Sequence, residues 1–142
     1  MRIAHVAIIA IVAGALVFVL SGGIPTEGWL RVGNTEFKLL VADERAELTK
    51  GLGGRDSLGE DEAMLFMFPS EGLHGIWMKD MRFPIDIVWF DEDWKIIDVR
   101  TNVSPDTYPE VFYPKSPSRY VLEFNAGTIE RYGISVGITA DF

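Results

Sequence analysis

The chain of 142 residues contains no cysteine. That absence removes disulfides, zinc-thiolate centres, thiol catalysis and a lipid-modified cysteine anchor together. Histidine is nearly missing as well: there are two, and His5 lies in an apolar leading run. His74 has Glu71 and Asp80 nearby in sequence but no His-x-x-x-His or comparable spacing, so the sequence asks for no metal and no cofactor. Basic residues are short too. Lys and Arg number 13 against 21 Asp and Glu, for a net charge of −8, whereas phosphate-backbone binding needs clustered cations, so nucleic acid is not an expected partner. The glycine-rich stretch Gly51-Leu52-Gly53-Gly54-Arg55 lacks the Gly-Lys-Ser/Thr ending of a phosphate loop and reads as a turn. No Gly-x-Ser-x-Gly elbow occurs, and no internal repeat or low-complexity segment is visible.

What is there divides in two. Ile3 to Leu20 is an almost unbroken apolar run. At helical rise its 18 residues span roughly 27 Å, near the thickness of a bilayer's hydrocarbon core. Arg2 precedes it, which keeps the N-terminus cytoplasmic and sends the rest of the chain across. The run exceeds the apolar core of an ordinary signal peptide, which favours a retained anchor. Ser21 and Gly23 nevertheless offer the small residues of a cleavage site. The expected organisation is therefore a leading anchor or signal with linker over residues 1–28, and an extracytoplasmic domain over 29–142. That domain is either held to the membrane through residues 3–20 or secreted.

The domain reads as many short strands. Trp29-Val32 and Thr35-Val41 flank Gly33-Asn34, a tight-turn dipeptide. Asp43 is a candidate N-cap for a helix over Glu44-Lys50, ended by Gly51. Ala63-Phe68 is a buried strand closed by Pro69, and Gly75-Met78 a short one. Ile85-Phe90 and Trp94-Thr101 form a hairpin around Asp91-Glu92-Asp93. Ser104-Pro117, with four prolines, is a long irregular loop. Arg119-Phe124 is a strand, Asn125 or Thr128 can cap a last helix through Tyr132, and Ile134-Phe142 closes with a turn and strand. Turns rather than crossover helices join most strands. The expected fold is mainly β: a compact antiparallel sandwich, jelly-roll or barrel with two short helices at its edges.

Charged residues inside apolar strands are the candidate site. Asp86 and Glu123 sit in the middle of such runs, and Lys79-Asp80 follows Trp77-Met78. Buried carboxylates need partners, and Lys79, Arg82, Arg55 and Arg119 are the cations available. Lys79 with Asp86 and Glu123 could do acid–base work or grip a polar ligand, or form a structural ion-pair network. Among Trp29, Trp77, Trp89 and Trp94, the last is expected to be the most exposed.

Four blocks in order carry a resemblance. They are Glu47-Leu48-Thr49-Lys50-Gly51-Leu52 with Arg55, Met64-Leu65-Phe66-Met67-Phe68-Pro69, Trp77-Met78-Lys79-Asp80-Met81 with Pro84-Ile85-Asp86-Ile87, and Tyr120-Val121-Leu122-Glu123-Phe124-Asn125-Ala126-Gly127. Together they resemble domain-of-unknown-function family 192, over nearly the whole domain. The resemblance implies a mostly β fold and an export signal or anchor, with no established activity. The family pattern usually has Asn at Asp80, Thr at Met81 and often Met at Gly53. Matched positions leave Trp77, Lys79, Asp86, Glu123 and Asn125, beside Arg55 and Asp80, as the candidate ligand-binding set. Three roles follow as expectations: a binding or accessory module at the cell envelope, an enzyme using Lys79 with Asp86 and Glu123, or an interaction domain without a pocket.

Overall fold

The computed structural model describes residues 28–142. The leading segment assigned to an anchor or signal lies outside the described residues. Among the described residues, no helix is long and apolar enough to cross a membrane.

Strands β1 (Trp29–Val32) and β2 (Thr35–Ala42) form the hairpin read from Gly33-Asn34. Helix α1 (Arg45–Lys50) starts one residue later than the sequence suggested. The Glu47 carboxylate reaches back to the N–H groups of Asp43 (3.3 Å) and Glu44 (3.4 Å), so Glu44 rather than Asp43 takes the cap position. β3 (Glu62–Gly72) runs past Pro69 instead of stopping there. Its pairing with β8 breaks register between Met67 and Gly72, and a bulge of that kind accommodates a residue with no N–H to donate. The remaining elements are β4 (Ile76–Trp77), β5 (Ile85–Phe90), β6 (Ile96–Val103), β7 (Val111–Phe112), β8 (Ser118–Asn125), α2 (Thr128–Tyr132) and β9 (Ala140–Asp141). The proline-rich stretch is less irregular than its composition indicated: it holds a 3-10 turn at Pro105–Thr107, and β7 pairs with β4.

Seven strands form one sheet in the order β6-β5-β8-β3-β2-β1-β9. Its pairings are antiparallel except for β2 with β3. The sheet curls into a half-barrel. Residues just before β9 fold onto the start of β6, where Ile96 N–H donates to Ile138 O at 2.8 Å and Gly137 N–H to Ile96 O at 2.9 Å. One cluster of buried side chains accordingly draws Leu30 and Ala140 from one end of the sheet and Ile96 from the other, together with Phe37, Leu65, Val88, Phe90, Leu122 and Phe124. This is the inner face. The expectation of a mainly β fold with two short helices holds, and the barrel-like form is realised as a half-barrel rather than as a sandwich or jelly-roll. The parallel β2–β3 pair also requires a crossover, residues 43–61, that the antiparallel expectation left out.

The crossover and the β4–β7 ribbon cover the outer face, where Ala42, Met64, Phe66, Ile85, Ile87, Trp89 and Val121 pack against Leu52, Leu58, Ile76 and Met78. With both faces covered, all six residues of β5 are buried. Asp86 is 0 % exposed and belongs to the inner face. Its Oδ1 accepts from the N–H of Asn102 at 2.8 Å and its Oδ2 from the N–H of Ile129 at 2.9 Å. The first bond fixes the end of β6, where Asn102 has φ 50°. The second satisfies the start of α2, so neither Asn125 nor Thr128 caps it. Asp86 is a tertiary clamp on β6 and α2.

Replacing Asp86 by Ala strands two buried amides and removes two charge-assisted bonds. Asp86→Ala should lower unfolding stability by about 3 kcal/mol or more. Urea melts showing a loss under about 1 kcal/mol would contradict the clamp.

Candidate functional site

The register of β5 with β8 decides how the candidate carboxylates relate. Ile87 lies opposite Glu123, and Asp86 opposite Phe124. Directly paired residues share a face and neighbours alternate. Asp86 therefore points inward and Glu123 outward, on opposite sides of the sheet, and the Lys79–Asp86–Glu123 cluster does not form. None of the suggested cations pairs with either carboxylate; the ion pairs among the described residues are Arg31–Glu36, Lys38–Glu62, Arg82–Asp56 and Lys115–Asp98.

Glu123 is 4 % exposed and its Oε2 has no hydrogen-bond partner. Burial alone pushes its carboxyl up to about 8, because an ion in an apolar enclosure has lost its hydration without gaining a counter-charge. The enclosure includes Gly51. A side chain there would begin 2.9 Å from Phe66 Cζ and 3.9 Å from Glu123 Oε2, and Gly51 has φ 49°, so both space and backbone require glycine. Asn125, on the same face, is structural: its Nδ2 donates to the carbonyls of Leu58 at 2.8 Å and Gly59 at 3.1 Å, pinning the crossover to β8.

Lys79 and Asp80 are both exposed and lie together in a groove of ≈ 1030 Å³ between α1 and the loop after β4. Arg45, Thr49 and Lys50 come from α1, Gly53 and Gly54 form part of the wall, and Met81 and Arg82 join Lys79 and Asp80 from the loop after β4. Four cations face one carboxylate in a chain whose overall charge is −8. Arg82 is paired with Asp56. The loops meet backbone to backbone: Gly54 N–H donates to Asp80 O at 2.8 Å, and a Cβ on Gly53 would lie 2.9 Å from Lys50 O and 3.0 Å from Lys79 O. Asp80 has φ 58°, a region that Asp and Asn enter more readily than other side-chain-bearing residues. That backbone demand suits Asp and Asn alike at this position.

Trp77 is 39 % exposed, and its ring lies 5.6 Å from Lys79 Nζ and 5.9 Å from the Tyr108 ring. Trp94, expected to be the exposed tryptophan, is instead partly buried in a stack on Tyr120 at 3.9 Å, with Phe142 edge-on at 4.8 Å; Trp29, at 52 %, is the more exposed. Arg55 lines a second groove of ≈ 760 Å³ with Trp29, Lys38, Lys50 and Gly51, and with Glu47 as its one carboxylate. Lys50 borders both grooves.

Reading the sequence strand by strand missed Arg45, Thr49 and Lys50. Helical spacing was the available signal, since Arg45 and Thr49, like Ala46 and Lys50, stand four apart on one side of α1. It also missed Asp98, 4 % exposed, which accepts from the N–H groups of Val99 at 2.9 Å and Lys115 at 3.0 Å. Among the described residues, no group of three or more His, Cys, Asp or Glu is placed to hold a metal ion.

The model of domain-of-unknown-function family 192, described as "Uncharacterized ACR", matches residues 29–142. A solved structure from Novosphingobium aromaticivorans, a protein of unknown function, is similar with a TM-score of 0.77 and 28 % identity, covering 82 % of this chain and 85 % of that one. Another, from Sinorhizobium meliloti and provisionally described as a transcription regulator, has a TM-score of 0.78 and 26 % identity, covering 84 % of this chain and 97 % of that one. No curated protein matches the chain.

The folded chain holds a proton on Glu123 that the unfolded chain releases above the ordinary carboxyl value of 4.5. Stability present at acid pH should therefore fall as pH rises from about 4.5 towards 8, by at most about 1.4 kcal/mol per pH unit. Glu123→Gln should flatten that slope in thermal melts taken from pH 5 to 9. An identical slope in the variant would show that another group titrates.

Proposed function

This chain belongs to domain-of-unknown-function family 192, and we propose that it serves as an extracytoplasmic binding module whose ligand site is the basic groove beside α1. The ligand is a small anion or an anionic group on a larger molecule. The observation that carries this reading is the local charge inversion: Arg45, Lys50 and Lys79, none of them ion-paired among the described residues, line the groove with Asp80 as its one carboxylate, while Arg82 is already paired with Asp56, on a protein of net charge −8. Cations held together at a concave surface repel one another. An anion there relieves that repulsion and takes several charge-assisted hydrogen bonds. The apolar run of residues 3–20 supports a place at the membrane with the domain outside the cytoplasm.

An enzyme using Lys79 with Asp86 and Glu123 is disfavoured, because the two carboxylates lie on opposite faces of the sheet. A pocketless interaction domain is disfavoured by the groove itself. The transcription-regulator description of the Sinorhizobium relative does not carry over well. The helices of the described residues are six and five residues long, too short to serve as a recognition helix.

Inorganic phosphate, sulfate and galacturonate should each raise the melting temperature of the full chain, with glucose giving no shift. In the double variant Arg45→Gln/Lys79→Met the shift should vanish. The unliganded melt should stay close to wild type, since exposed substitutions away from buried networks change stability by about 0.5 kcal/mol or less. Equal shifts in the variant, or none in the parent, would defeat the groove as a ligand site.

A further inference from the structure

The two grooves lie on either side of α1 and share Lys50. The second is bordered by Gly28, the first described residue, and by Trp29. The chain therefore enters the domain beside the basic face. Seven residues, Ser21 to Glu27, separate Gly28 from the apolar run that ends at Leu20. Fully extended they reach at most about 25–30 Å, so a domain held by that run cannot move far from the bilayer surface. Its first strand also exposes Trp29 at 52 %, and tryptophan is enriched at the headgroup level of membranes.

We propose that the face carrying both grooves is a bilayer-contact surface that takes the phosphate headgroups of anionic lipids. This rests on the reading of the basic groove as an anion site and of residues 3–20 as a retained anchor. Charge complementarity selects the occupant. Arg45, Lys50, Lys79 and Arg55 are four cations on this face with no ion-pair partner among the described residues, while the chain as a whole is acidic. Without such a patch, the net negative charge of the protein would drive the tethered domain away from an anionic bilayer. The linker confines the domain to within about 25–30 Å of the surface, and Lys and Arg that come within a Debye length of about 10 Å draw this one face onto it. The headgroup phosphates then enter grooves whose walls already present ammonium and guanidinium donors.

The test uses the full chain reconstituted in phosphatidylcholine vesicles with and without phosphatidylglycerol, read by amide hydrogen exchange. Peptides covering residues 44–55 and 77–83 should exchange at least threefold more slowly in the anionic vesicles. That protection should be lost in Arg45→Gln/Lys50→Gln/Lys79→Gln, with circular dichroism unchanged. A third arm adds inorganic phosphate to the zwitterionic vesicles. Protection by inorganic phosphate but not by anionic lipid would overturn the lipid inference and leave the groove as an anion site. No protection in either arm would overturn both. Release of the chain from vesicles as a shortened product would overturn the bilayer contact directly.

Discussion

The parallel pairing of β2 with β3 is the constraint on which the rest depends. Two parallel neighbours cannot be joined by a tight turn, so the chain between Ala42 and Glu62 must cross over one face of the sheet. It crosses the outer face, carrying α1, the glycine-rich loop and Leu52 and Leu58 with it. That crossover roofs Glu123, supplies a wall to each groove, and brings the backbone of Gly53 and Gly54 against Lys79 and Asp80. A plain antiparallel hairpin at this point would leave the outer face covered by the β4–β7 ribbon alone, with no helix wall beside Lys79.

The three buried carboxylates show how differently one sheet can accommodate a charge. Asp86 and Asp98 each accept from two backbone amides, which replaces lost hydration with fixed donors and turns each into a fastener. Asp86 holds β6 and α2, and Asp98 holds the segment before β8. Glu123 has an unsatisfied oxygen and avoids the cost by keeping its proton, at the expense of a fold that weakens as the medium becomes alkaline. The groove cations are the reverse case. They stay exposed, so they carry little stability and remain available to a ligand.

Much of this architecture was legible in the sequence. The apolar runs at Ala63-Phe68, Ile85-Phe90 and Tyr120-Phe124 announced the central strands, because a strand covered on both faces has no polar alternation to blur it. Gly33-Asn34 fixed the first hairpin, and Gly51 the end of α1. The parallel pair was not legible, since its crossover helix spans only six residues and neither composition nor period marks strand direction. The separation of Asp86 from Glu123 was hidden for a related reason. Alternation tells which neighbours along one strand share a face, but only the register between β5 and β8 relates the faces of two strands. Lys79 and Asp80 were found because they follow an apolar pair directly. Arg45 and Lys50 looked like an ordinary solvated helix face until the loop after β4 was placed opposite them.

The resulting picture is a half-barrel whose inner face is wholly core, and whose outer face is core under the crossover with a basic edge beyond it. The proposed anion site lies on that edge and not among the buried acids. Backbone ¹⁵N–¹H spectra of the full chain in detergent, titrated with inorganic phosphate, test this most directly. Shifts confined to α1, Gly53-Gly54 and Lys79-Arg82 are the expected result. Shifts centred on the amides of Asn102 and Ile129, which face Asp86, would place the site on the inner face and contradict the account.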